Sequence, residues 1–306
     1  MKVLITGGAG FIGTNLSLGL LNSGYEVKVL DDLSTGLKQN ISKDAEFVNG
    51  SILETTQINK AIEDCEVAVH LGARGSVPRS IKDPVATHNV NSTGTLNVLE
   101  AARTSKSHYI FSSSSSVYGS NMVLPKSEDM ALRPITPYAA SKMSGEGLSL
   151  AYAKTYELSV STFRFFNVFG PWQRPDHEYA AVLPKWIFKC MKGEEIEIFG
   201  DGEQTRDFTY VGTVVNVIIN CISNKILHPE PVNLAYGNNI SLNQVTELLK
   251  NSFPDLKVKN LSPRAGDVLH SKNDPKLIKS LYPNVDIEKF ETTIEETINW
   301  FKKLNI

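Results

Sequence analysis

The 306-residue chain is short of several things, and each shortage removes a class of protein. Cysteine is scarce. Cys65, Cys190 and Cys221 are odd in number and widely spaced, which argues against a disulfide framework and for reduced packing thiols in a cytoplasmic protein. No Cys/His spacing suggests a zinc site, so no metal is expected. Long apolar runs are absent: nothing approaches the ~20 residues of a membrane helix. The opening Met1-Lys2-Val3-Leu4-Ile5-Thr6 is interrupted by glycines and reads as a first strand, not a leader. Excess charge is also missing. The net value is -2 with both signs dispersed, and no basic stripe offers nucleic acid a surface. No internal repeat appears, and the five serines from Ser112 to Ser116 are the one biased tract. What is present is an ordinary 41% apolar content, enough for the core of one large or two modest domains.

The first half alternates short apolar runs with helical patterns. Strands are predicted at Val3 to Thr6, Glu26 to Leu30, Ala45 to Val48, Val67 to Leu71, His108 to Ser112 and Val160 to Phe165. Helices are predicted at Phe11 to Asn22, Glu54 to Asp64, about Pro84 to Arg103, and Pro137 to Tyr156. Strands alternating with helices imply βαβ units and a parallel sheet, an α/β fold of the Rossmann, doubly wound kind. After Asn167, prolines at 171, 175 and 184 and the turn Gly200-Asp201-Gly202 break the pattern. Residues 1–166, with a return at about 211–234, form the expected dinucleotide domain. Residues 167–210 and about 235–306 form a smaller α/β substrate domain, with amphipathic helices at Leu242 to Ser252 and Ile287 to Leu304.

Gly7, Gly10 and Gly13, in Gly7-Gly8-Ala9-Gly10-Phe11-Ile12-Gly13, fall between the first strand and the first helix. Residues without Cβ let backbone approach a pyrophosphate, and the helix start offers N–H groups to it. Glycines often serve only as turns; the placement after a strand is what points to a dinucleotide. Asp31 follows the second strand. A carboxylate there can hold adenosine ribose hydroxyls and repel a 2′-phosphate, which favours NAD over NADP.

Tyr138 and Lys142 are i and i+4, on one helix face. A phenol, with an ordinary pKa near ~10, needs help to act as a base, and a lysine one turn away favours the phenolate. A Tyr-Lys pair is common by chance. The serine run changes that, because it closes the fifth strand, at the edge where an open parallel sheet binds ligands. These parts describe hydride chemistry at an alcohol or carbonyl carbon.

The chain resembles an extended short-chain dehydrogenase/reductase of the NAD-dependent sugar epimerase/dehydratase family. The matching segments are GGAGFIG at 7–13, HLGARGSVPRS at 70–80, NSTGT at 91–95, SSSVYG at 114–119 and YAASK at 138–142. They continue with RFFNVFGP at 164–171, GDGEQTRDF at 200–208 and RAGDV at 264–268, in family order over nearly the whole chain. The resemblance implies Ser114, Tyr138 and Lys142 as catalytic residues. Ser114 binds the sugar 4-oxygen, Tyr138 removes its proton, and Lys142 holds the nicotinamide ribose and lowers the Tyr138 pKa. It implies cofactor contacts from Gly7, Gly10, Phe11, Ile12, Gly13, Asp31, Ser51, Ile52, Leu71, Ala73 and Asn91. It implies substrate contacts from Ser76, Asn167, Ala181, Val182, Arg206, Arg264, Asp267 and Ser271. NAD would stay bound and be recycled, and a homodimer would form through the helices near 84–103 and 137–156.

Dehydratases of this family carry an acid pair just after the catalytic hydroxyl, where this chain has Ser115 and Ser116, so dehydration is disfavoured. The stretches 179–186 and 264–271 resemble epimerases of UDP-N-acetylhexosamines. A bulky tyrosine matches Ser271 in epimerases restricted to unacetylated sugars, so a small residue there makes room for an N-acetyl group. The resemblance therefore implies 4-epimerisation of UDP-GlcNAc and UDP-GalNAc, with UDP-Glc and UDP-Gal as further substrates. Three departures stand out: Ser51 replaces an aspartate that touches adenine, Gly72-Ala73 is followed by Arg74, and Gly212-Thr213 replaces a pair of aspartates. Arg74 leaves a UDP-glucuronate or UDP-N-acetylhexosaminuronate 4-epimerase as the alternative, with a nucleotide-sugar reductase behind it.

Overall fold

Strands covered on both faces read as near-continuous apolar runs. Lys2–Thr6 (β1), Glu26–Asp31 (β2) and Val67–His70 (β4) have that character, and all four β4 residues are buried. In the computed structural model, residues 1–175, 180–263 and 270–304 are described. With those strands the first half contains β3 (Glu46–Asn49), β5 (His108–Ser114) and β6 (Val160–Phe165). Its helices are α1 (Phe11–Asn22), α2 (Thr55–Ile62), α3 (Val77–Lys82), α4 (Pro84–His88), α5 (Gly94–Ser105) and α6 (Pro137–Tyr156). The second half adds β7 (Val168–Phe169), α7 (Val182–Met191), β8 (Ile196–Phe199), β9 (Thr205–Arg206), β10 (Thr209–Tyr210) and α8 (Val211–Asn224). It ends with β11 (Val232–Leu234), β12 (Ile240–Ser241), α9 (Leu242–Ser252), β13 (Val258–Leu261), α10 (Lys276–Leu281) and α11 (Phe290–Lys302).

Seven strands form one parallel sheet in the order β11-β6-β5-β4-β1-β2-β3. Winding runs outward from β1 in both directions, so the switch point lies between β1 and β4, where Ile5 pairs with both Val29 and Val69. Ligands bind in the crevice outside the carboxyl ends of the strands at such a point. On one face, α1 and α8 pack on Val3, Ile5, Val27 and Val29; on the other, α2, α5 and α6 cover Leu4, Leu30, Ala68 and Phe111. A third cluster, away from the sheet, joins Leu183 and Trp186 of α7, Val245 and Leu249 of α9 and Ile294 and Ile298 of α11. The three thiols are free and buried, one in each cluster, as packing cysteines should be.

The helices differ from the sequence reading in three places. The helix expected over about 84–103 is broken into α4, a π-helical turn at Asn89–Thr93, and α5. Wide π turns recur at functional sites, and this one carries the buried Asn91, whose side chain leaves the helix for the loop at Arg74. Ahead of it, α3 is an unforeseen short helix, started by the Ser76 hydroxyl accepting from Arg79 N. Near the C terminus, Ile278 of α10 and the following Tyr282 pack in the sheet's cluster, not with α9 and α11.

Candidate functional site

The carboxyl ends of β1, β2, β4, β5 and β6 open into one cleft of about 900 Å³. Its wall begins at the glycine turn. Gly7 has φ +71°, and a Cβ there would lie 2.8 Å from the Gly72 backbone; a Cβ at Gly13 would lie 2.4 Å from the Gly7 carbonyl oxygen. The turn is therefore folded against itself and against the loop after β4. At Gly10 a Cβ would meet only the Gly7 oxygen, at 3.3 Å, so that face is open to the cleft. Gly10 precedes α1, whose first turn has no side-chain cap and no acidic residue. Free N–H groups and the positive helix end make this an anion seat, and these residues fit a dinucleotide pyrophosphate.

Asp31 lines the same cleft. Its Oδ2 accepts from Ala9 N at 3.0 Å and its Oδ1 from Leu33 N at 2.8 Å. Burial raises its pKa, and those two backbone N–H groups lower it. The carboxylate is thus oriented by the glycine turn, with a lone pair left on each oxygen for ribose hydroxyls.

His70, at the end of β4, fixes the opposite wall. Its Nδ1 lies 2.6 Å from Thr6 Oγ1 and its Nε2 lies 3.0 Å from Thr95 Oγ1. The Thr95 hydroxyl donates to Asn91 O, so it accepts from Nε2–H, and Thr6 donates to Nδ1 while accepting from Gly72 N. The network assigns a neutral imidazole. Burial, helped by the nearby charge of Lys142, pushes its pKa down to about 3. The unfolded chain takes up a proton near 6.5, so acidification below that favours unfolding by about 1.4 kcal/mol per pH unit until about pH 3. Urea unfolding at pH 6.5 and pH 5 should show this loss, and His70→Gln should reduce the slope by that amount. An unchanged slope in the variant would assign the acid sensitivity to other groups.

Tyr138 and Lys142 lie in the first two turns of α6, which the Thr136 hydroxyl caps by accepting from Ala139 N. Both line the cleft with Ser112, Ser113 and Ser114. Burial raises the phenol pKa from its ordinary 10, and the neighbouring Ser114 hydroxyl lowers it part of the way. The fully buried Lys142 is pushed down to about 8. Its Nζ donates to Ser112 O at 2.8 Å, so in this arrangement the ammonium is held on the strand. Ser114 Oγ also accepts from Ser116 N at 3.2 Å and Ser116 Oγ at 2.9 Å. With both lone pairs engaged, its own proton is free for a reacting oxygen.

Most of the residues marked in the sequence meet here. Gly7, Gly10, Phe11, Ile12, Gly13, Asp31, Ile52, Leu71, Ala73, Ser114, Tyr138, Lys142, Asn167 and Ala181 all line the cleft. Ser271 is brought in through Asn167, whose Nδ2 lies 3.5 Å from Ser271 Oγ. Others stand behind the wall. Ser51 accepts from Leu53 N, Ser76 caps α3, and Arg206 Nη1 donates to Thr205 O at 2.9 Å. Asn91 accepts from Arg74 N at 2.7 Å and donates to Ser141 Oγ at 3.0 Å, tying the loop after β4 to the catalytic helix. Val182 begins α7, next to Ala181. Arg264 and Asp267 lie outside the described residues. Sequence reading missed Arg79, Gln173 and Arg174 as wall residues. The last two follow directly from β6 and β7, and Arg174 Nη1 reaches Thr35 O at 3.3 Å across the Asp31 end. Among the described residues, no cluster of acids, histidines and cysteines could hold a metal, and no helix is long and apolar enough to cross a membrane.

A pyrophosphate seat at the switch point of a doubly wound sheet, facing a Ser/Tyr/Lys set on one wall, defines a nicotinamide-dependent enzyme that works on an alcohol or carbonyl carbon. The chain belongs to the NAD dependent epimerase/dehydratase family, whose model matches residues 3–235. It is 36% identical over 310 residues to a putative UDP-glucose 4-epimerase of Methanocaldococcus jannaschii, covering 99% of both chains. The solved UDP-N-acetylglucosamine 4-epimerase from Methanobrevibacter ruminantium, in complex with UDP-N-acetylmuramic acid, matches with a TM-score of 0.92 at 34% identity, covering 99% of this chain and 98% of that one. UDP-glucose 4-epimerase from Thermotoga maritima, with UDP-glucose, matches with a TM-score of 0.93 at 32% identity over 100% of each chain.

Proposed function

We propose that this protein is a UDP-hexose 4-epimerase that interconverts UDP-GlcNAc and UDP-GalNAc, and also UDP-Glc and UDP-Gal, through a transient 4-keto sugar. The observation that carries the reading is Ser114, Tyr138 and Lys142 lining one cleft, with Ser115 and Ser116 directly after Ser114 in place of an acid pair. Tyr138 takes the 4-hydroxyl proton, and Ser114 steadies the 4-oxygen with its one unassigned proton. NAD held by the Gly7–Gly13 turn and Asp31 would supply the hydride acceptor and donor that C4 requires. Neither Ser115 nor Ser116 can serve as the acid and base that eliminating water requires.

Ser271 supports the acetylated pair. Its hydroxyl stands beside Asn167 of the cleft wall, and by the resemblance a small residue at this position leaves room for an N-acetyl group. Arg264 and Asp267 are assigned to the nucleotide by resemblance alone. Incubating purified protein with a panel of UDP-sugars, without added NAD, tests both the sugar and cofactor retention. Ser271→Tyr should cut kcat/KM on UDP-GlcNAc by tenfold or more and on UDP-Glc by less than threefold; equal losses would count against this account.

A second reading rests on Arg74. Its guanidinium lines the cleft, its Nε is buried without a hydrogen-bond partner, and its pairing with Asp83 spans 3.4 Å. A sugar carboxylate would satisfy it, so the same panel includes UDP-glucuronate. Exposed Ile81, Val85, Leu96 and Met143 on α3 to α6 support a homodimer through that face, with sedimentation as its test. A cytoplasmic location goes with this substrate class.

A further inference from the structure

A chain of buried hydrogen bonds leaves the cleft wall at Ser113, crosses the interior and returns to the wall at Asn167. Ser113 Oγ donates to Glu146 Oε2 at 2.8 Å. Glu146, on α6 one turn past Lys142, is paired with Arg164 of β6 through Nη2–Oε1 at 2.6 Å and Nε–Oε2 at 3.1 Å. Arg164 Nη1 donates to the Tyr118 hydroxyl at 2.8 Å, and Tyr118 donates to Asn233 Oδ1 at 2.7 Å. Asn233 Nδ2 donates to Asn273 Oδ1 at 2.8 Å. Asn273 N donates to Asp207 Oδ2 at 2.8 Å, and Asp207 O accepts from Asn167 Nδ2 at 3.0 Å. From Ser113 to Asp207, no residue of the chain is more than 3% exposed.

Stability alone does not call for this arrangement. A buried ion pair must repay the desolvation of both charges, and apolar residues of similar volume often do as well. What a fully satisfied polar chain provides is one geometry, because every link is directional and breaking one strands its neighbours. The two ends of this chain matter for the same reaction. One end is the strand and helix that carry Ser114 and Tyr138. The other is the segment at 270–273 that carries Ser271, held a second time by Asn273 Nδ2 on Ala235 O at 2.8 Å.

We propose that Arg164, Tyr118, Asn233 and Asn273 are positioning residues, which hold the Ser271 segment in register with the Ser114–Tyr138 pair. The inference rests on the epimerase reading above for its kinetic consequence, while the coupling itself is a property of the fold. Tyr118 sits in the middle of the chain, and Tyr118→Phe removes one oxygen while keeping the ring. With that link gone, the 270–273 segment loosens although it is far from residue 118 in the sequence.

Hydrogen exchange tests the coupling without any substrate. In Tyr118→Phe, the amides at 270–274 should exchange at least tenfold faster, and those of β1 and β2 at the wild-type rate. Kinetics tests the consequence. The ratio of kcat/KM on UDP-GlcNAc to that on UDP-Glc should move at least threefold, with KM carrying most of the change and bound NAD per chain unchanged. A ratio is independent of how much protein is folded, so a merely structural role would leave it fixed. Asn273→Ala, which cuts only the last side-chain links, should shift the ratio in the same direction and serves if Tyr118→Phe does not fold. Wild-type exchange at 270–274 in the variants, or an unmoved ratio, overturns the proposal. Failure of the wild-type protein to turn over either sugar would overturn the epimerase reading instead, and the exchange result would still decide the coupling.

Discussion

Tyr138→Phe is expected to lower kcat by about a thousandfold while leaving the NAD content of the purified protein unchanged. The ring stays in the cleft wall and only the hydroxyl is lost, so the glycine seat and Asp31 are untouched. Two effects combine. The 4-hydroxyl proton loses its acceptor, and Ser114 loses the phenol oxygen beside it in the cleft wall. The phenol is a poor base at rest, because burial holds its pKa above the ordinary 10 and the Ser114 hydroxyl offsets that only in part. Lys142 is then the remaining positive group on the same wall, with its Nζ on Ser112 O. Turnover on the preferred UDP-sugar and absorbance of cofactor released on denaturation make the measurement. A variant that turns over at the wild-type rate would remove Tyr138 from the mechanism. A variant that lost NAD in proportion to activity would give it a binding role in place of a chemical one.

The parts that were legible in the sequence are those whose physics is local. The first six sheet strands each carry a short apolar run, and they overlap their predicted positions. The glycine turn and the Tyr138–Lys142 spacing are set by covalent neighbours, so their placement in the cleft followed from the sequence. What was not legible depends on partners far along the chain. The break at Asn89–Thr93 looks like an ordinary helix, because its cause is Asn91 reaching Arg74 and Ser141. Ser51 and Ser76 also have roles that only the folded chain shows, their hydroxyls accepting from Leu53 N and Arg79 N. Arg174 was passed over among prolines and becomes a wall residue only when the segment after β7 crosses to Thr35. The Ser113 to Asn167 chain joins residues from β5, α6, β6 and β11 and from four connecting segments, and no spacing rule connects them.

Gly13→Ala should have the opposite signature to Tyr138→Phe: the cofactor goes first. A Cβ at residue 13 would lie 2.4 Å from Gly7 O and 2.6 Å from Gly8 Cα. Both are backbone atoms, so no side chain can rotate away and the turn itself must open. Forced overpacking of this kind costs about 1–3 kcal/mol, and it moves the N–H groups that face the anion. Bound NAD is expected to fall at least tenfold, and activity without added cofactor with it. Gly10→Ala separates the two effects. A Cβ at residue 10 would touch only Gly7 O, at 3.3 Å, and the residue's φ of −83° suits any side chain. Stability should therefore change by less than about 1 kcal/mol, while the added methyl occupies the face that a pyrophosphate must approach. Thermal unfolding and NAD content of the two variants, measured side by side, distinguish a glycine required by the turn from one required by the ligand. Full NAD content in Gly10→Ala would place the pyrophosphate elsewhere in the cleft.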